Sequence, residues 1–280
     1  MQNLGYYNGQ IDLIENIKVP MTDRGFYFGD GLYDVAYARN HVIYALDEHL
    51  NRFYSGMELL EMRPPMPQEQ LRELLCHLVL KVDDGEQLVY WQATRGCGLR
   101  THAFEDEGKP SNLAIMLRPA SIRPVYTPVR LITAEDRRHQ YCNVKTLSLL
   151  PGIMTAQMAA RAGADETVLL RDDRVTECSH SNISMLKDGV FVTPPADRFM
   201  LAGVGRAHLM AACHELGIDV VERTFTLGEL LDADEIILSS AGSLCLSAFE
   251  LDGRPVGGKA PELLKKLQDF VVADWLKKTE

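Results

Sequence analysis

The sequence has no long apolar run and no excess of positive charge. Its 280 residues contain no stretch of roughly 18 uninterrupted apolar residues, the length that a membrane-spanning helix needs. The 29 Lys and Arg are outnumbered by 39 Asp and Glu, which gives a formal net charge of -10. The phosphates of nucleic acids and anionic lipids repel an acidic protein. We therefore expect neither nucleic acid nor a membrane as a partner.

Motifs for metal binding and for disulfide pairing are also missing. The six cysteines are scattered without a Cys-x-x-Cys pair, and the eight histidines show neither His-x-x-x-His nor His-Glu-x-x-His spacing. This pattern predicts reduced cysteines and no metal site. The opening residues, MQNLGYYNGQIDLIEN, lack the cationic and then apolar order of a secretory signal, so a cytoplasmic protein is expected.

Both halves of the chain mix helical and strand periodicity, which predicts an α+β fold. In the first half, Asn8-Gly9 suits a two-residue hairpin turn. Asp47 is a candidate N-cap for an amphipathic helix. The same half is predicted to contain a helix over 68–80 and strands over 87–94 and 112–118.

Three prolines, Pro119, Pro124 and Pro128, predict an extended connection between two domains. We expect a smaller N-terminal domain over 1–118, a linker over 119–128 and a larger C-terminal domain over 129–280. Beyond the linker the patterns predict helices over 152–162, 205–216 and 261–277, strands over 129–134, 166–171, 218–224 and 235–239, and a hairpin over 183–192 that turns at Asp188-Gly189.

A lysine without a nearby acid stands in the apolar run CNVKTLSLLPG, 142–152. Lys145 either extends its ammonium group to water or is enclosed in a cavity, where burial favours the neutral amine. Extension to water is the more frequent arrangement in proteins. A neutral lysine amine, however, is the nucleophile that reacts with an aldehyde.

Two further segments carry groups suited to a polar ligand. Glu177, in RVTECSHSNISML, precedes small polar residues and an apolar strand, which is the setting of a carboxylate that points inward. GVGRAH, 203–208, lacks the third glycine of a dinucleotide fingerprint, because His208 stands in its place. A Gly-x-Gly turn that opens a helix still offers backbone N–H groups to an anion, or serves only to reverse the chain.

Cations follow a predicted buried strand in TRGCGLRTH, 94–102. Arg95, Arg100 and His102 come directly after the apolar run LVYWQA, and cations in that place are usually directed at an anion. Upstream, FYFGDGLYDVAY, 26–37, surrounds a Gly-Asp-Gly turn with aromatic residues. This segment either fixes the position of Tyr33 or is only a structural corner.

Taken in order, six motifs resemble those of the fold type IV pyridoxal-phosphate enzymes, the class IV aminotransferases. The motifs are DRGFYFGDGLYD, LDEHLNR, VKTLSLLPG, ADETVLL, VTECSHSNI and LAGVGR. The resemblance extends over most of the chain. It implies two α+β domains, each with a mixed sheet and flanking helices, and pyridoxal 5'-phosphate at the domain interface. Within the family, TRGxxxRxH resembles the D-amino-acid transaminases.

The resemblance implies a role for each matching residue. Lys145 would bond covalently to pyridoxal phosphate and act as the base, and Glu177 would pair with the pyridine nitrogen and keep it protonated. The other implied cofactor-binding residues are Arg52, Val204 and Gly205 at the phosphate, Ser240 either at the phosphate or as a hydroxyl that supports it, Arg138 near the 3-hydroxyl and Leu201 on the ring face. The implied substrate-binding residues, at the α-carboxylate, are Tyr33, Arg100 and His102.

The implied activity is ping-pong transamination between a D-amino acid, of the D-alanine or D-glutamate type, and a 2-oxo acid, in a homodimer. Branched-chain L-amino-acid aminotransferases and aminodeoxychorismate lyases use the same lysine and glutamate and stay as alternatives, as does a non-catalytic protein that keeps the fold. Three features depart from the family pattern. Ala241 replaces a threonine beside the phosphate, His180 replaces a small hydroxyl residue, and Cys97-Gly98-Leu99 makes the loop before Arg100 particular to this chain.

Overall fold

The computed structural model describes residues 1–103 and 108–280. The chain forms two compact units. The first comprises Met1–Ser121, Val144–Ser148 and Lys277–Glu280, and the second comprises Ile122–Asn143 and Leu149–Leu276. Both units contain helices and strands, which confirms the predicted α+β class. None of the helices in the described ranges is long and apolar enough to cross a bilayer.

Within the described residues, the first unit holds a six-stranded sheet in the order β2-β1-β6-β5-β3-β4. Every pairing found in this sheet is antiparallel rather than mixed, because chain neighbours such as β1 and β2, or β5 and β6, lie side by side. The strands are β1 Leu4–Tyr7, β2 Gln10–Asp12, β3 Gly31–Arg39, β4 Val42–Ile43, β5 Gln87–Thr94 and β6 Asn112–Pro119. The predicted turn at Asn8-Gly9 joins β1 to β2, with positive φ at both residues.

The helices of the first unit are a short 3-10 helix, Ile14–Asn16, and α1 Arg24–Phe28, α2 Leu46–Leu59 and α3 Gln68–Val79. Helix α2 packs Phe53 against Trp91 of β5, with ring centroids 6.2 Å apart. The prediction that Asp47 is the N-cap was wrong. The cap is Ala45, whose left-handed backbone ends the turn after β4, so Asp47 lies inside the first helical turn.

Residues 144–148 belong to the first unit because they pair with the start of β3. The Tyr33 N–H donates to the Lys145 carbonyl at 2.9 Å, and the Leu147 N–H donates to the Gly31 carbonyl at 3.0 Å. The chain division near Ser121 falls inside the predicted linker 119–128. The predicted boundaries, however, assign 144–148 to the second domain, since a long-range pairing of this kind leaves no local pattern. The domain limits read from the sequence stay a prediction.

In the described part of the chain, the second unit holds a nine-stranded sheet in the order β12-β11-β10-β13-β14-β7-β8-β9, with β15 also paired to β14. It mixes antiparallel pairs with parallel ones, at β11/β12, β14/β7 and β7/β8. The strands are β7 Val129–Glu135, β8 Glu166–Arg171, β9 Arg174–Cys178, β10 Asn182–Lys187, β11 Val190–Thr193, β12 Val220–Glu222, β13 Glu235–Ser239, β14 Leu246–Leu251 and β15 Arg254–Pro255.

The remaining helices are α4 Leu150–Arg161, α5 Val204–Glu215, α6 Leu227–Leu231 and α7 Pro261–Lys278. The predicted elements of this half are confirmed, with ends that differ by a few residues. Strand β14 had no prediction, because Ser247 and Ala248 interrupt its apolar pattern. All six cysteines lie in described residues and are unpaired thiols.

Replacing Gly31 by Ala tests the close packing of β3 against both β5 and Leu147. An added Cβ would lie 2.3 Å from the Ala93 carbonyl oxygen and 2.8 Å from Leu147 Cδ1. Because the strand backbone cannot move aside without breaking the β3/β5 ladder, we expect the free energy of unfolding to fall by about 3 kcal/mol. Urea unfolding measures this change. Gly228→Ala in α6, where the nearest atom is 3.7 Å away, is the control, and an equal loss in both variants would contradict the account.

Candidate active site

Lys145 lies beside Tyr33 in the first unit. The Lys145 Nζ is 4.4 Å from the centroid of the Tyr33 ring, a distance at which the ring face attracts an ammonium group. The Tyr33 ring in turn stacks on Tyr90, with centroids 5.4 Å apart. Lys145 is half-buried and Val144 beside it is buried. The structure therefore brings together the predicted covalent lysine and the predicted substrate-binding tyrosine.

Arg52 is oriented by a carboxylate from the neighbouring strand. Its Nε donates to Asp34 Oδ2 at 2.9 Å and its Nη2 donates to Asp34 Oδ1 at 2.6 Å. Asp34 is fully buried at 0% exposure, and His49 Nδ1 lies 2.8 Å from its Oδ1. This bidentate pairing fixes the plane of the guanidinium group. The predicted role of Arg52 at a phosphate stays a prediction.

The charges of this cluster follow from burial and pairing. Burial opposes ionisation of Asp34, but the charge of Arg52 and the hydrogen bonds from His49 and Arg52 outweigh it, so the pKa of Asp34 lies well below its ordinary value of 3.8. Burial lowers the pKa of His49, against the opposing effect of Asp34. Because the Asp34 carboxylate can only accept a hydrogen bond, we assign the donated proton to His49 Nδ1.

Arg100 and His102 meet at one aromatic ring, that of Phe28. The Arg100 guanidinium carbon lies 5.4 Å from the centroid of the Phe28 ring, and the His102 ring centroid lies 5.2 Å from it. Both side chains are exposed. The structure therefore brings Arg100 together with His102, as it brings Tyr33 together with Lys145.

Arg95, whose role the sequence left open, is a structural cation. Its Nε lies 3.1 and 3.0 Å from the two carboxylate oxygens of Asp30. Its other nitrogens donate to the carbonyls of Leu60, at 2.8 Å, and Glu61, at 3.0 Å, at the end of helix α2. These bonds account for the cation that directly follows strand β5.

In the second unit, Glu177 is a buried and fully oriented carboxylate. Its Oε2 accepts a hydrogen bond from Asn182 Nδ2 at 2.9 Å and another from the Leu201 N–H at 3.3 Å, while its Oε1 is paired with Arg138. Only 6% of Glu177 is exposed, as its sequence setting predicted. The structure groups three of the predicted cofactor-binding residues: Glu177, Arg138 and Leu201.

Arg138 is held by Asp136 as well as by Glu177. Arg138 Nε donates to Asp136 Oδ1 at 2.9 Å, and Nη2 donates to Asp136 Oδ2 at 2.8 Å. Burial lowers the pKa of Arg138, but hydrogen bonding to Asp136 and the charges of Glu177 and Asp136 outweigh it, so the pKa is raised. Arg138 therefore stays charged beside Glu177.

The start of helix α5 offers backbone N–H groups that could bind an anion. Val204 and Gly205 open the helix, so their N–H groups have no acceptor inside the helix itself. The turn admits only small residues. A Cβ on Gly203 would lie 1.9 Å from Asn182 Oδ1, and one on Gly205 would lie 3.0 Å from the Ser240 carbonyl oxygen. Ser240 thus lies next to Gly205.

His180, one of the departures from the family pattern, faces a buried acid. Its Nδ1 lies 2.8 Å from Glu166 Oε2, and Ser181 donates to the same oxygen at 3.0 Å. Burial raises the pKa of Glu166, but bonding to His180 and Ser179 outweighs it and lowers the pKa. The histidine therefore has a structural partner of its own.

The residues that orient the predicted site residues were not identified from the sequence. Asp34, His49, Asp136 and Asn182 contact Arg52, Arg138 or Glu177 but received no role. One local signal existed: His49 precedes Arg52 by three residues and therefore shares its helix face. Asp136 and Asn182 also lie within a few residues of Arg138 and Glu177. Asp34, in contrast, reaches Arg52 only through the packing of α2 on β3.

An amine nucleophile, a buried carboxylate and an anion-binding helix start are the groups that a pyridoxal-phosphate enzyme needs. The family model of amino-transferase class IV matches residues 31–250, and the chain belongs to that family. Class IV aminotransferases use pyridoxal phosphate, so this protein is a pyridoxal-phosphate-dependent aminotransferase.

Curated D-alanine aminotransferases are similar to the chain over nearly its whole length. The D-alanine aminotransferase of Listeria monocytogenes serotype 4b (strain F2365) is 35% identical over 265 residues, which cover 93% of this chain and 92% of the relative. That of Bacillus licheniformis is 31% identical over 283 residues, covering 97% and 98%.

Solved structures support the fold type IV assignment. The branched-chain aminotransferase of Thermoproteus uzoniensis matches with a TM-score of 0.89 at 23% identity, covering 99% of this chain and 96% of that one. The branched-chain aminotransferase of Escherichia coli matches with a TM-score of 0.89 at 19% identity, covering 100% and 97%. At these identities the likeness concerns the fold alone.

The residues present fit the family's cofactor. The opening turn of α5 suits a phosphate, because its N–H groups and the helix dipole both favour an anion. The Glu177 carboxylate is held by two neutral donors and one cation, so it can keep an anionic form without exposure to water. Lys145 has a half-buried amine beside an aromatic ring. Each group has the chemistry that the resemblance assigns to it.

Replacing Asp34 by Asn tests the pairing that holds Arg52. When folding lowers the pKa of a carboxyl group, its stabilising contribution is complete at pH values above the pKa of the unfolded chain, here near 3.8. The contribution is lost as the pH falls from there through the lower pKa of the folded protein. We expect Asp34→Asn to lower the free energy of unfolding at pH 7 by about 3 kcal/mol, because Arg52 and His49 lose a buried partner. The difference from the wild type should shrink below pH 4.

Urea unfolding between pH 7 and pH 3 measures this dependence. Asp47→Asn is the matched control, since Asp47 pairs with Arg72 at the surface, where such pairs contribute at most about 1 kcal/mol. The account is wrong if the two variants lose the same stability, or if the loss in Asp34→Asn is independent of pH.

Proposed function

We propose that the protein transfers the amino group of a D-amino acid, of the D-alanine or D-glutamate type, to a 2-oxo acid in a ping-pong reaction through Lys145. One observation supports the proposal. Arg100 and His102 of the TRGxxxRxH motif both contact the Phe28 ring, and their loop follows β5, the strand that pairs with the strand of Tyr33. The curated D-alanine aminotransferases at 31% to 35% identity support the same substrate class.

Bound pyridoxal phosphate supplies an aldehyde for the amino group and a ring that accepts the electrons of the broken Cα–H bond. Lys145 is the base in this proposal. Its Nζ, as a neutral amine, would take the proton from the substrate Cα and pass it to the cofactor, and it would move a proton in the opposite direction when the amino group goes to the second acid. The nearby Tyr33 ring limits where Nζ can lie, since the two are 4.4 Å apart.

Glu177 is proposed to pair with the pyridine nitrogen and to favour its protonated form, because a nearby anion stabilises a cation. Asn182, Leu201 N–H and Arg138 already fix both of its oxygens. Arg138 is proposed to lie near the 3-hydroxyl and Leu201 on the ring face. The fixed carboxylate needs no reorientation during turnover, which is how preorganised groups lower a barrier.

The phosphate is proposed to bind Arg52, Ser240 and the backbone N–H groups of Val204 and Gly205. A guanidinium group suits this role because it stays charged and binds oxyanions through two parallel bonds. Ala241 cannot donate the hydrogen bond of the threonine that relatives often carry. We therefore expect the remaining groups to carry the phosphate interaction.

The substrate's α-carboxylate is proposed to bind Arg100, His102 and the Tyr33 hydroxyl. A carboxylate held at fixed donors presents one face of Cα to the Lys145 amine, so the position of the donors selects the enantiomer. An L-selective branched-chain aminotransferase is the second candidate, because that activity would use the same lysine and glutamate, Lys145 and Glu177.

Paired D- and L-amino acids test the proposed specificity. With 2-oxoglutarate as acceptor, D-alanine should give a kcat/KM at least about 100-fold higher than L-alanine, since the wrong enantiomer leaves the carboxylate donors or the base misplaced. Coupled assays of 2-oxo acid release measure both. Activity confined to L-leucine, L-isoleucine and L-valine would overturn the proposal, as would pyruvate release from aminodeoxychorismate without any acceptor.

We also infer that the protein acts as a cytoplasmic homodimer. Helix α4 leaves an apolar face open to solvent in the second unit, and a second copy of the chain is the proposed cover. Its members recur at helical spacing, which places them on one side: Leu150, Ile153, Met154 and Met158. Isolated apolar side chains at a surface are ordinary, but a contiguous set marks an interface.

Analytical ultracentrifugation of the purified protein tests the dimer. The wild type should sediment at twice the chain mass, and Ile153→Asp should shift it toward the monomer because a charge would be desolvated in the interface. Glu262→Lys on α7 serves as a surface control that keeps the dimer. A monomeric wild type at micromolar concentration would contradict the inference, and cell fractionation checks the cytoplasmic location.

A further inference from the structure

Helix α1 is fixed to the ends of two strands by its N-cap. Asp23 accepts hydrogen bonds from the Gly25 N–H at 2.8 Å, from the Thr94 hydroxyl at 2.9 Å and from Asn112 Nδ2 at 2.7 Å. A Cβ on Gly25 would lie 2.5 Å from Thr94 Cγ2, so the helix lies close against strand β5. These contacts therefore fix the backbone of Arg24, the first residue of α1.

The Arg24 side chain binds the loop that carries the proposed substrate cations. Its Nη1 donates to the Thr101 carbonyl at 2.7 Å, and its Nη2 donates to the His102 carbonyl at 3.2 Å. These two peptide groups directly follow Arg100. Only 8% of the Arg24 side chain is exposed, and hydrogen bonds from a charged donor are stronger than neutral ones. Arg24 thus fixes the backbone from which Arg100 and His102 extend.

The Phe28 ring, one helical turn after Arg24, contacts the same side chains. The guanidinium carbons of Arg24 and Arg100 lie 4.8 and 5.4 Å from its centroid, and the His102 ring lies 5.2 Å away at 44°. A flat ring face attracts guanidinium groups and limits their rotation. The backbone and the side chains of the loop are therefore held by one short helix.

A carboxylate beside the loop is shared by two arginines. Asp30 is shared, because it pairs with Arg24 Nε at 2.7 Å and with Arg95 Nε at 3.0 Å. One carboxylate faces two guanidinium groups, so the three residues together carry a positive charge next to Arg100.

A purely structural ion pair would explain Arg24 only in part. The bond to Asp30 uses Nε alone, whereas Nη1 and Nη2 both go to carbonyls of the loop. A lysine could satisfy Asp30 but could not reach three acceptors in this planar arrangement. Arg24 therefore holds the loop backbone in addition to pairing with the charge of Asp30.

We propose that Arg24 is a positioning residue for the substrate carboxylate, because it holds the Thr101 and His102 carbonyls and thereby aims Arg100 and His102. The proposal rests on the proposed role of Arg100 and His102 at the carboxylate. Arg24 itself does not contact the substrate. Its loss moves the donors and leaves the cofactor groups of the second unit in place.

Steady-state kinetics of the holoenzyme separate this role from a structural one. Arg24→Met should raise the KM for D-alanine and for 2-oxoglutarate about tenfold, with kcat changed less than about threefold, because two charged hydrogen bonds to the loop are lost. Arg24→Lys keeps a cation at Asp30 but lacks the several N–H donors of the planar guanidinium group. We therefore expect its KM to lie between those of the wild type and Arg24→Met. Arg72→Met, which removes a surface ion pair, is the control and should match the wild type.

Two further measurements do not depend on turnover. Propionate, the analogue of alanine without its amino group, should bind Arg24→Met about tenfold more weakly in calorimetry. Amide hydrogens of residues 97–103 should exchange faster in this variant, while the absorbance of the bound cofactor stays that of the wild type. Unchanged KM and unchanged propionate binding would overturn the proposal, as would loss of the cofactor.

Arg100→Leu distinguishes failure of this proposal from failure of the proposed function. If Arg100 binds the carboxylate, its replacement should raise the KM about 100-fold. A raised KM in Arg100→Leu with a wild-type KM in Arg24→Met would show that Arg24 is structural while the proposed site stands. A wild-type KM in Arg100→Leu would show that the carboxylate binds elsewhere, and both proposals would then be wrong.

Discussion

The pairing of residues 144–148 with the start of β3 is the constraint on which the first unit's active-site groups depend. Two backbone hydrogen bonds, Tyr33 N–H to Lys145 and Leu147 N–H to Gly31, place the lysine against the strand that carries Tyr33 and Asp34. Because successive side chains of a strand point to opposite faces, Tyr33 is beside Lys145 while Asp34 turns to Arg52. One strand therefore positions the base and orients the predicted phosphate arginine.

Aspartates that hold arginines recur through the molecule. Asp34 orients Arg52, Asp136 orients Arg138, and Asp30 is shared by two further arginines. Desolvation makes such pairs poor sources of stability, since their attraction barely exceeds the loss of hydration. A bidentate carboxylate does fix the plane of a guanidinium group, and that geometry is what binding an oxyanion requires. The pairs are best explained as devices that preorganise cations.

The fold and the site differed in how far the sequence predicted them. Helices and strands with clear periodicity, such as α3 and β5, were predicted nearly to their ends, because local pattern determines them. The resemblance assigned Lys145 and Glu177, and the structure gives both the surroundings that these roles need. Asp34 and Arg24 were not predicted as holding residues, because their partners are remote: Arg24 and the Thr101 carbonyl are 77 positions apart. The N-cap prediction at Asp47 was wrong, because Ala45 adopts a left-handed backbone that no local signal of the sequence indicated.

The central claim is that Lys145, held against β3, is the residue that bonds to pyridoxal phosphate. Borohydride reduction of the holoenzyme, followed by digestion and mass spectrometry, tests it most directly, because reduction makes the lysine–cofactor bond permanent. The account predicts a phosphopyridoxyl group on the peptide that contains Lys145. A modified peptide with any other lysine, or no modified peptide after reconstitution with the cofactor, would contradict it.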